Sequence, residues 1–162
     1  MKLLATKNSL PSNVKETIIA SLNDALAATI DLALVTKQAH WNVRGPEFIG
    51  VHEMLDNLRD GLDEQVDTIA ERVAQLGGTA LGTVQIVAET TKLKPYPTTI
   101  HATRNHLEAL IERYAAVANL LRKSISEAAD VGDDVSADVF TAAASELDKS
   151  LWFLEAHGHT GD

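Results

Sequence analysis

The sequence predicts an all-α protein built from four long helices. Apolar residues recur at helical spacing along four stretches, with glycine, proline or acidic turn residues between them. Apolar residues form 45% of the chain but aromatic residues only 4%, so small and aliphatic side chains fill the core, as close helix packing requires. The chain has 162 residues, which suits one domain that buries enough surface for a stable core.

The first helix is expected over residues 13–42. Ser12 or Asn13 can cap its start, with Glu16 placed to complete a capping box. Apolar residues outside its main seam predict that the helix is buried on most sides, which in so short a chain suggests contacts between subunits. The seam at helical spacing consists of Leu22, Leu26, Thr29, Ala33, Thr36 and His40.

The second helix is expected over residues 48–76, and Gly77-Gly78 provide a good C-terminal stop. An apolar stripe at helical spacing marks the face of this helix that packs into the core. The stripe consists of Val51, Leu55, Leu58, Leu62, Val66, Ile69, Val73 and Leu76.

Residues 79–97 join the two halves of the chain, and residues 84–87 are expected to form a short helix. A third long helix is predicted over residues 98–129 and a fourth over residues 135–156. Two helical hairpins joined by a longer crossover describe a ferritin-like four-helix bundle. The expected organisation is an N-terminal tail at 1–12, the bundle at 13–157 and a C-terminal tail at 158–162.

Composition excludes several classes of site. The chain has no cysteine, which rules out disulfides and thiolate metal ligands. We see no apolar stretch of about 18 residues and no full signal peptide, so we expect no membrane span and a cytoplasmic location. The net charge of −9 argues against DNA binding by the folded body and is compatible with attracting cations, although solubility alone also accounts for it.

Four polar residues of the second helix are candidate metal ligands. His52 and Asp56 are four residues apart, as are Asp67 and Glu71, so each pair lies on one side of the helix. All four positions fall on a face different from the apolar stripe. With about 1.5 Å rise per residue, Asp56 and Asp67 are about 16 Å apart along the axis, so one metal cannot collect all four.

A second copy of the helix, placed antiparallel across a two-fold axis near Gly61 and Leu62, removes this difficulty. Residue n then faces residue 123 − n, and symmetry gives two sites per dimer. Gly61 at the crossing is expected to let the backbones approach. The facing pairs are His52 with Glu71 and Asp56 with Asp67.

Imidazole and carboxylate ligands without sulfur suit a redox-active Fe(II) site, although Zn(II) or Mn(II) would also bind. His40, at the end of the first helix, can supply a further imidazole. Acidic residues at helical spacing are more often a solvated face, so a purely structural interpretation stays open. Asp60 and Asp63 would also face each other across the axis and repel unless hydrated or bound to cations.

The absence of one motif favours a site between subunits. Ferritin-type di-iron bundles hold their metals inside one subunit with Glu-x-x-His, and this chain contains no such sequence. If this chain oxidises iron within a bundle, the ligands must therefore lie elsewhere, and the space between two subunits is the natural place.

Three segments together resemble the signature of the Dps family: KQAHWNVRG at 37–45, HEMLD at 52–56 and DTIAER at 67–72. The later segment DKSLWF at 148–153 is similar to the family's last helix. The resemblance covers nearly the whole chain, and the combined spacing is far more specific than any one pair within it.

The resemblance implies a hollow homododecamer with ferroxidase sites at its two-fold interfaces. His40 and His52 would come from one subunit, and Asp67 and Glu71 from its partner. Asp56 would help to hold a second, weaker iron. The implied reaction oxidises Fe(II) to Fe(III), with hydrogen peroxide preferred over dioxygen, and stores ferric mineral in an acidic interior, which protects DNA and the cell from oxidative damage.

The resemblance also assigns roles outside the ligands. Trp41 occupies the position of an aromatic residue beside the site, where it would intercept radicals or simply pack in the interface. Iron would enter through an acidic pore, for which Asp138 is the best match, with Asp134 beside it. Asp130 and Asp133 cluster there too, and carboxylates at the start of a helix also suit its dipole.

Many members of the family bind DNA through a lysine-rich tail. Here Lys2, Lys7 and Lys15 give residues 1–15 a local charge near +3, which could act collectively around a shell. The tail is short, however, and the acidic body repels phosphate. Three hypotheses therefore stay open: an iron-oxidising storage shell, a nucleoid-binding protein with secondary iron chemistry, and a helical scaffold without a metal role.

Four remaining histidines show no partner pattern, and we expect them at the surface or at helix ends. They are His101, His106, His157 and His159.

Overall fold

The computed structural model describes residues 3–158 and confirms an all-α four-helix bundle with a short crossover helix. In this part of the chain the helices are α1 (Ser12–Asn42), α2 (Phe48–Gln75), α3 (Val84–Thr90), α4 (Thr103–Asp130) and α5 (Asp134–Gly158). α1 packs with α2 and α4 with α5, while α3 lies against α1. Residues 1–2 and 159–162, which belong to the expected tails, lie outside the described residues, as does His159.

The core forms where the helical periodicity places it. All six seam residues of α1 are buried, including Thr29 and Thr36, whose hydroxyls donate to backbone carbonyls one turn earlier. Thr36 also lies 3.0 Å from the hydroxyl of Tyr114, which is fully buried in α4. The hydroxyls of Thr29, Thr36 and Tyr114 are therefore hydrogen-bonded within the core, as buried hydroxyls require.

The membrane expectation needs one correction. By length and composition alone, α1 is apolar enough to cross a membrane, so the view that no such stretch exists was wrong. Most of that stretch is buried inside the bundle, where it packs against α2 and α4. Its apolar character is accounted for by its position as the most buried helix of the described core.

Two helix starts differ from the sequence prediction. Pro11, not Ser12 or Asn13, occupies the N-cap position of α1, and no side chain caps that end. α4 begins at Thr103 rather than near residue 98 because the preceding residues pair with the loop between α1 and α2. Arg44 N–H donates to the carbonyl oxygen of His101 at 2.8 Å, and Thr103 N–H donates to that of Arg44 at 3.2 Å.

The N-terminal segment lies along the bundle. Leu4 N–H donates to the carbonyl oxygen of Gly77 at 2.8 Å. Gly77 has φ +85°, and a Cβ there would lie 2.5 Å from the carbonyl oxygen of Leu4, so glycine is required. Lys15 is only 7% exposed, and its Nζ donates to the carbonyl oxygen of Asn8 at 2.7 Å. Lys15 therefore does not contribute to a basic tail.

Gly61 lies beside a side chain of another helix in its own chain. A Cβ at this position would lie 2.9 Å from Oε1 of Glu146 in α5 of the same chain. The missing side chain thus makes room for the Glu146 carboxylate of the same chain, and the approach of two copies at Gly61 stays a prediction.

His106 was expected at the surface or at a helix end; it lies in the first turn of α4 but is only 1% exposed. The hydroxyl of Tyr96 lies 2.7 Å from its Nδ1, and burial lowers the pKa of the imidazole. Nearby, Arg113 donates to the carbonyl oxygens of Lys94 and Pro95 at 3.0 and 2.7 Å. These hydrogen bonds hold the segment from Lys94 to Tyr96 against α4. His101 and His157 are exposed, as expected.

Candidate metal centre

Two histidines form the centre of the candidate site. His40 lies in the last turn of α1 and is 6% exposed, and His52 lies near the start of α2. Their rings stack with centroids 3.6 Å apart and planes inclined by 22°. His40 Nδ1–H donates to the carbonyl oxygen of His52, and His52 Nδ1–H donates to that of His40, both at 2.9 Å.

This reciprocal bonding defines the tautomer of both rings. Because a carbonyl oxygen only accepts hydrogen bonds, Nδ1 carries the proton in each imidazole. The neutral ring then presents the lone pair of Nε2, the atom that binds a divalent metal. A hydrogen bond from the other ring nitrogen to a backbone carbonyl is a common way in which proteins orient a metal-binding histidine.

A carboxylate and an ammonium group lie beside the histidine pair. Asp56, one turn after His52, accepts a hydrogen bond from Nζ of Lys37, and its Oδ1 is 3.2 Å from Nδ1 of His40. The hydrogen bond from Lys37 lowers the pKa of the Asp56 carboxyl. Lys37 was missed in the sequence, although it precedes His40 by three residues and therefore shares its side of α1.

The other two predicted ligands lie apart from this group. Asp67 and Glu71 are exposed on the second half of α2. Among the described residues of a single chain, no group of three or more histidine or acidic side chains is arranged to hold a metal ion. A centre containing all five predicted ligands therefore requires a second chain.

Exposed apolar side chains occur on the helix ends that carry the histidines. Trp41 is 67% exposed and points away from the core, and Ile49 is 61% exposed. The ring of Phe48 lies 4.9 Å from that of His52. Large apolar side chains exposed next to one another are typical of a surface that another chain covers.

Asp63, which was predicted to face Asp60 of a second copy and repel it, is paired with an arginine of its own chain. Arg59 Nε donates to both carboxylate oxygens of Asp63 at 2.9 Å. Nη1 of the same guanidinium donates to the carbonyl oxygen of Ala33 in α1 at 3.0 Å. Asp63 therefore does not face solvent as an uncompensated charge.

A buried arginine follows Glu71 directly. Arg72 is 5% exposed, and its guanidinium donates to Asp133 Oδ1 and Ser136 Oγ, both at 2.8 Å. Arg72 points into the bundle, so its neighbour Glu71 lies outside it. The buried position of Arg72 was not predicted from the sequence.

Asp133 is not a pore residue. It is 2% exposed, binds Arg72 and accepts a hydrogen bond from the backbone N–H of Ser136 at 3.1 Å. It therefore caps the start of α5, and grouping it with the pore candidates was wrong. Asp134 and Asp138 lie on the same first turns of α5 with exposed side chains, and Asp130 is exposed at the end of α4.

Known proteins are similar to this chain in both sequence and fold. A ferritin-like domain model matches residues 19–161. The "DNA protection during starvation protein" of Agrobacterium fabrum is 64% identical over 157 residues, covering 97% of each chain. Dps from Mycobacterium smegmatis, in a tetragonal form, superposes with a TM-score of 0.91 at 36% identity, covering 96% of this chain and 94% of that one.

A further solved structure, DpsC from Streptomyces coelicolor, superposes with a TM-score of 0.95 at 26% identity, covering 99% of this chain and 94% of that chain. Both the sequence relatives and the solved structures thus match this chain over nearly its full length. The chain therefore belongs to the Dps group of the ferritin-like family.

Proposed function

We propose that this protein oxidises Fe(II) to Fe(III) at sites shared between two subunits and stores the ferric product inside a hollow homododecamer. One observation carries the proposal: His40 and His52 each donate Nδ1–H to the other's backbone carbonyl, which leaves both Nε2 atoms for a metal, while Asp67 and Glu71 of the same chain lie apart from them. Iron is here both the bound metal and the substrate.

A second copy completes the site in this proposal. When two α2 helices run antiparallel, the partner's Glu71 lies level with His52 and the partner's Asp67 lies level with Asp56. Two imidazoles and two carboxylates then surround one Fe(II), a ligand mixture suited to iron, although Zn(II) and Mn(II) would compete. Asp56 also accepts a hydrogen bond from Lys37, and it would bind a second iron ion with lower affinity.

Hydrogen peroxide is the proposed preferred oxidant. Two Fe(II) ions give up one electron each, the O–O bond of one peroxide breaks, and two protons complete two water molecules. Because both electrons come from irons held close together, no hydroxyl radical is released. Trp41, exposed beside His40, is proposed to intercept any radical that does form.

The remaining steps concern transport and storage. We propose that Asp138, with Asp134 beside it, lines the pore through which Fe(II) enters, since both carboxylates are exposed at the start of α5. The net charge of −9 per chain favours cation uptake. The proposed location is the cytoplasm, where removal of Fe(II) and peroxide protects DNA.

The proposal is tested by stoichiometry and mass together. Anaerobic protein given Fe(II) and limiting peroxide should oxidise two Fe(II) ions per peroxide consumed. The native mass should be about twelve times the chain mass of 17.4 kDa, and iron should co-migrate with it. A monomer that neither binds Fe(II) nor accelerates its oxidation would instead support the helical scaffold.

Direct DNA association is the second candidate, favoured by the relatives' name "DNA protection during starvation protein". The described structure favours it less, because Lys15 is buried and the segment from Leu4 lies on the bundle. Lys7 is exposed, and Lys2 lies outside the described residues.

We expect no gel shift of duplex DNA at moderate salt. With Lys15 buried, the segment offers few cations against a strongly acidic body. A titration at low and moderate salt checks this, since phosphate contacts weaken steeply as salt rises. A stable complex at moderate salt would make DNA association the principal function.

A further inference from the structure

Four charged side chains of α2 lie at the level where the two copies are proposed to cross. Arg59, Asp60, Asp63 and Glu64 fall within about one and a half turns around the midpoint of the ligand positions. With two copies, this region brings six carboxylates and two guanidinium groups together. The inference below rests on the proposed shared site.

Arg59 is held far more firmly than a surface arginine. Its Nε binds Asp63, its Nη1 binds the carbonyl oxygen of Ala33 in α1, and its side chain is 26% exposed. Arg104 makes the same i,i+4 bond to Glu108 at 2.8 Å, but its side chain is 77% exposed. The bond to α1 thus fixes the Arg59 guanidinium, whereas Arg104 has only its neighbour on the helix.

We propose that Arg59 is a charge clasp between two copies of this chain. It neutralises Asp63 of its own chain, and its remaining nitrogen, Nη2, binds the partner's Asp60. In the antiparallel arrangement Asp63 lies level with the partner's Asp60, so these carboxylates would otherwise oppose each other. A guanidinium can bind Asp63, the carbonyl oxygen of Ala33 and the partner's Asp60 together because its N–H donors form a planar fork. An ammonium group lacks this geometry.

Charge balance explains why a clasp is needed. In this arrangement Asp60 and Asp63 lie level with the partner's Asp63 and Asp60, and Glu64 lies level with the partner's Arg59. Without Arg59, the six carboxylates of the two copies would lie in this region without a guanidinium to compensate them. Like charges placed opposite each other disfavour association strongly. With Arg59, each guanidinium lies between two carboxylates from different chains. The clasp thereby sets the register in which the histidines of one chain meet the partner's Asp67 and Glu71.

The test measures assembly rather than folding. Arg59→Gln should raise the concentration at which the assembled protein dissociates by on the order of 100-fold. Adding Asp60→Asn to this variant should restore most of the lost affinity, because it removes the opposing charge. Sedimentation over a dilution series gives the values, and circular dichroism checks that the helices persist. Arg104→Gln is the matched control and should assemble as the unmodified chain does.

Rescue separates the clasp from a role within one chain. Among the described residues, Asp60 makes no hydrogen bond or ion pair with Arg59. Because Asp60 lies within about one turn of Asp63 and Glu64 of its own chain, Asp60→Asn alone is the control that measures any relief of repulsion within one chain. Arg59→Lys keeps the charge and should weaken assembly less than Arg59→Gln, which supplies a second comparison if the glutamine variant folds poorly. Unchanged assembly of Arg59→Gln, or a defect that Asp60→Asn does not repair, would overturn the proposal.

Iron oxidation is measured separately, so that the two proposals can fail independently. At protein concentrations high enough to restore assembly, Arg59→Gln should regain the unmodified rate, because Arg59 binds no metal in this proposal. If the unmodified protein assembles through Arg59 but does not oxidise Fe(II), the clasp stands and the proposed function fails.

Discussion

Replacing His40 by alanine should lower the rate of peroxide-dependent Fe(II) oxidation by more than roughly 100-fold. Loss of a residue that only hydrogen-bonds a metal ligand already costs roughly 10- to 100-fold, and His40 is proposed to be a ligand itself. The substitution removes one of two imidazoles that the described chain contributes. The backbone carbonyl of His40 stays, so His52 keeps the acceptor for its Nδ1–H. Stopped-flow absorbance of Fe(III), with native mass as a check on assembly, measures the effect.

Asp67→Ala should have a similar effect, although Asp67 is remote from His40 in the same chain. A mixture of the two variants gives the sharpest test of a shared site. In a dimer that contains one chain of each kind, one site has lost both residues and the other has both intact. Random mixing should therefore restore roughly a quarter of the unmodified activity, since half the dimers are mixed.

The mixing result discriminates between arrangements. If His40 and Asp67 act within one subunit, no mixture of the two variants contains an intact site, and activity stays at the level of each variant alone. His101→Ala provides the control, because His101 is exposed and outside the proposed ligand set. Its rate should equal that of the unmodified protein.

Helix positions could be predicted because burial imposes a period on the sequence. The α1 seam from Leu22 to His40 is buried throughout, and Gly77 ends the α2 region with the expected left-handed conformation. The failures occurred where contacts between distant residues override local preference. Pairing of Arg44 with the residues before Thr103 delays α4, and no local rule anticipates such a contact.

The candidate site was predictable in part for the same reason. Spacing identifies which residues share a helix face, so Asp56 could be placed one turn from His52. It does not reveal that His40 and His52 exchange bonds with each other's backbone, because that depends on how α1 and α2 pack. Nor does it show that Lys37 engages Asp56.

Acidic residues were the least predictable group. Asp133 and Asp134 are neighbours with the same side chain, yet one is buried and the other exposed. The difference arises from Arg72, which is 61 residues earlier in the chain than Asp133 and reaches only that one of the two. Composition near a helix start therefore cannot separate a buried capping aspartate from an exposed one.

Replacing Arg72 by methionine should lower the free energy of unfolding by about 3–5 kcal/mol, because Asp133 is left as a buried charge without its partner. The side chains of this pair are 7% and 2% exposed, so solvent screens the pair little. For a chain of this size the melting temperature should fall by about 10 °C. Calorimetry at fixed protein concentration measures the change, since assembly also contributes to stability.

A double variant separates the charge from the packing. Adding Asp133→Asn to Arg72→Met removes the buried charge while the asparagine oxygen can still accept the backbone N–H of Ser136. Stability should then recover in part. Arg104→Gln, which breaks an exposed pair, should change stability by less than about 1 kcal/mol. If Arg72→Met and Arg104→Gln lower the free energy of unfolding equally, the ion pair of Arg72 with Asp133 does not hold α2 to α5. The outward orientation of Glu71 would then not depend on this ion pair.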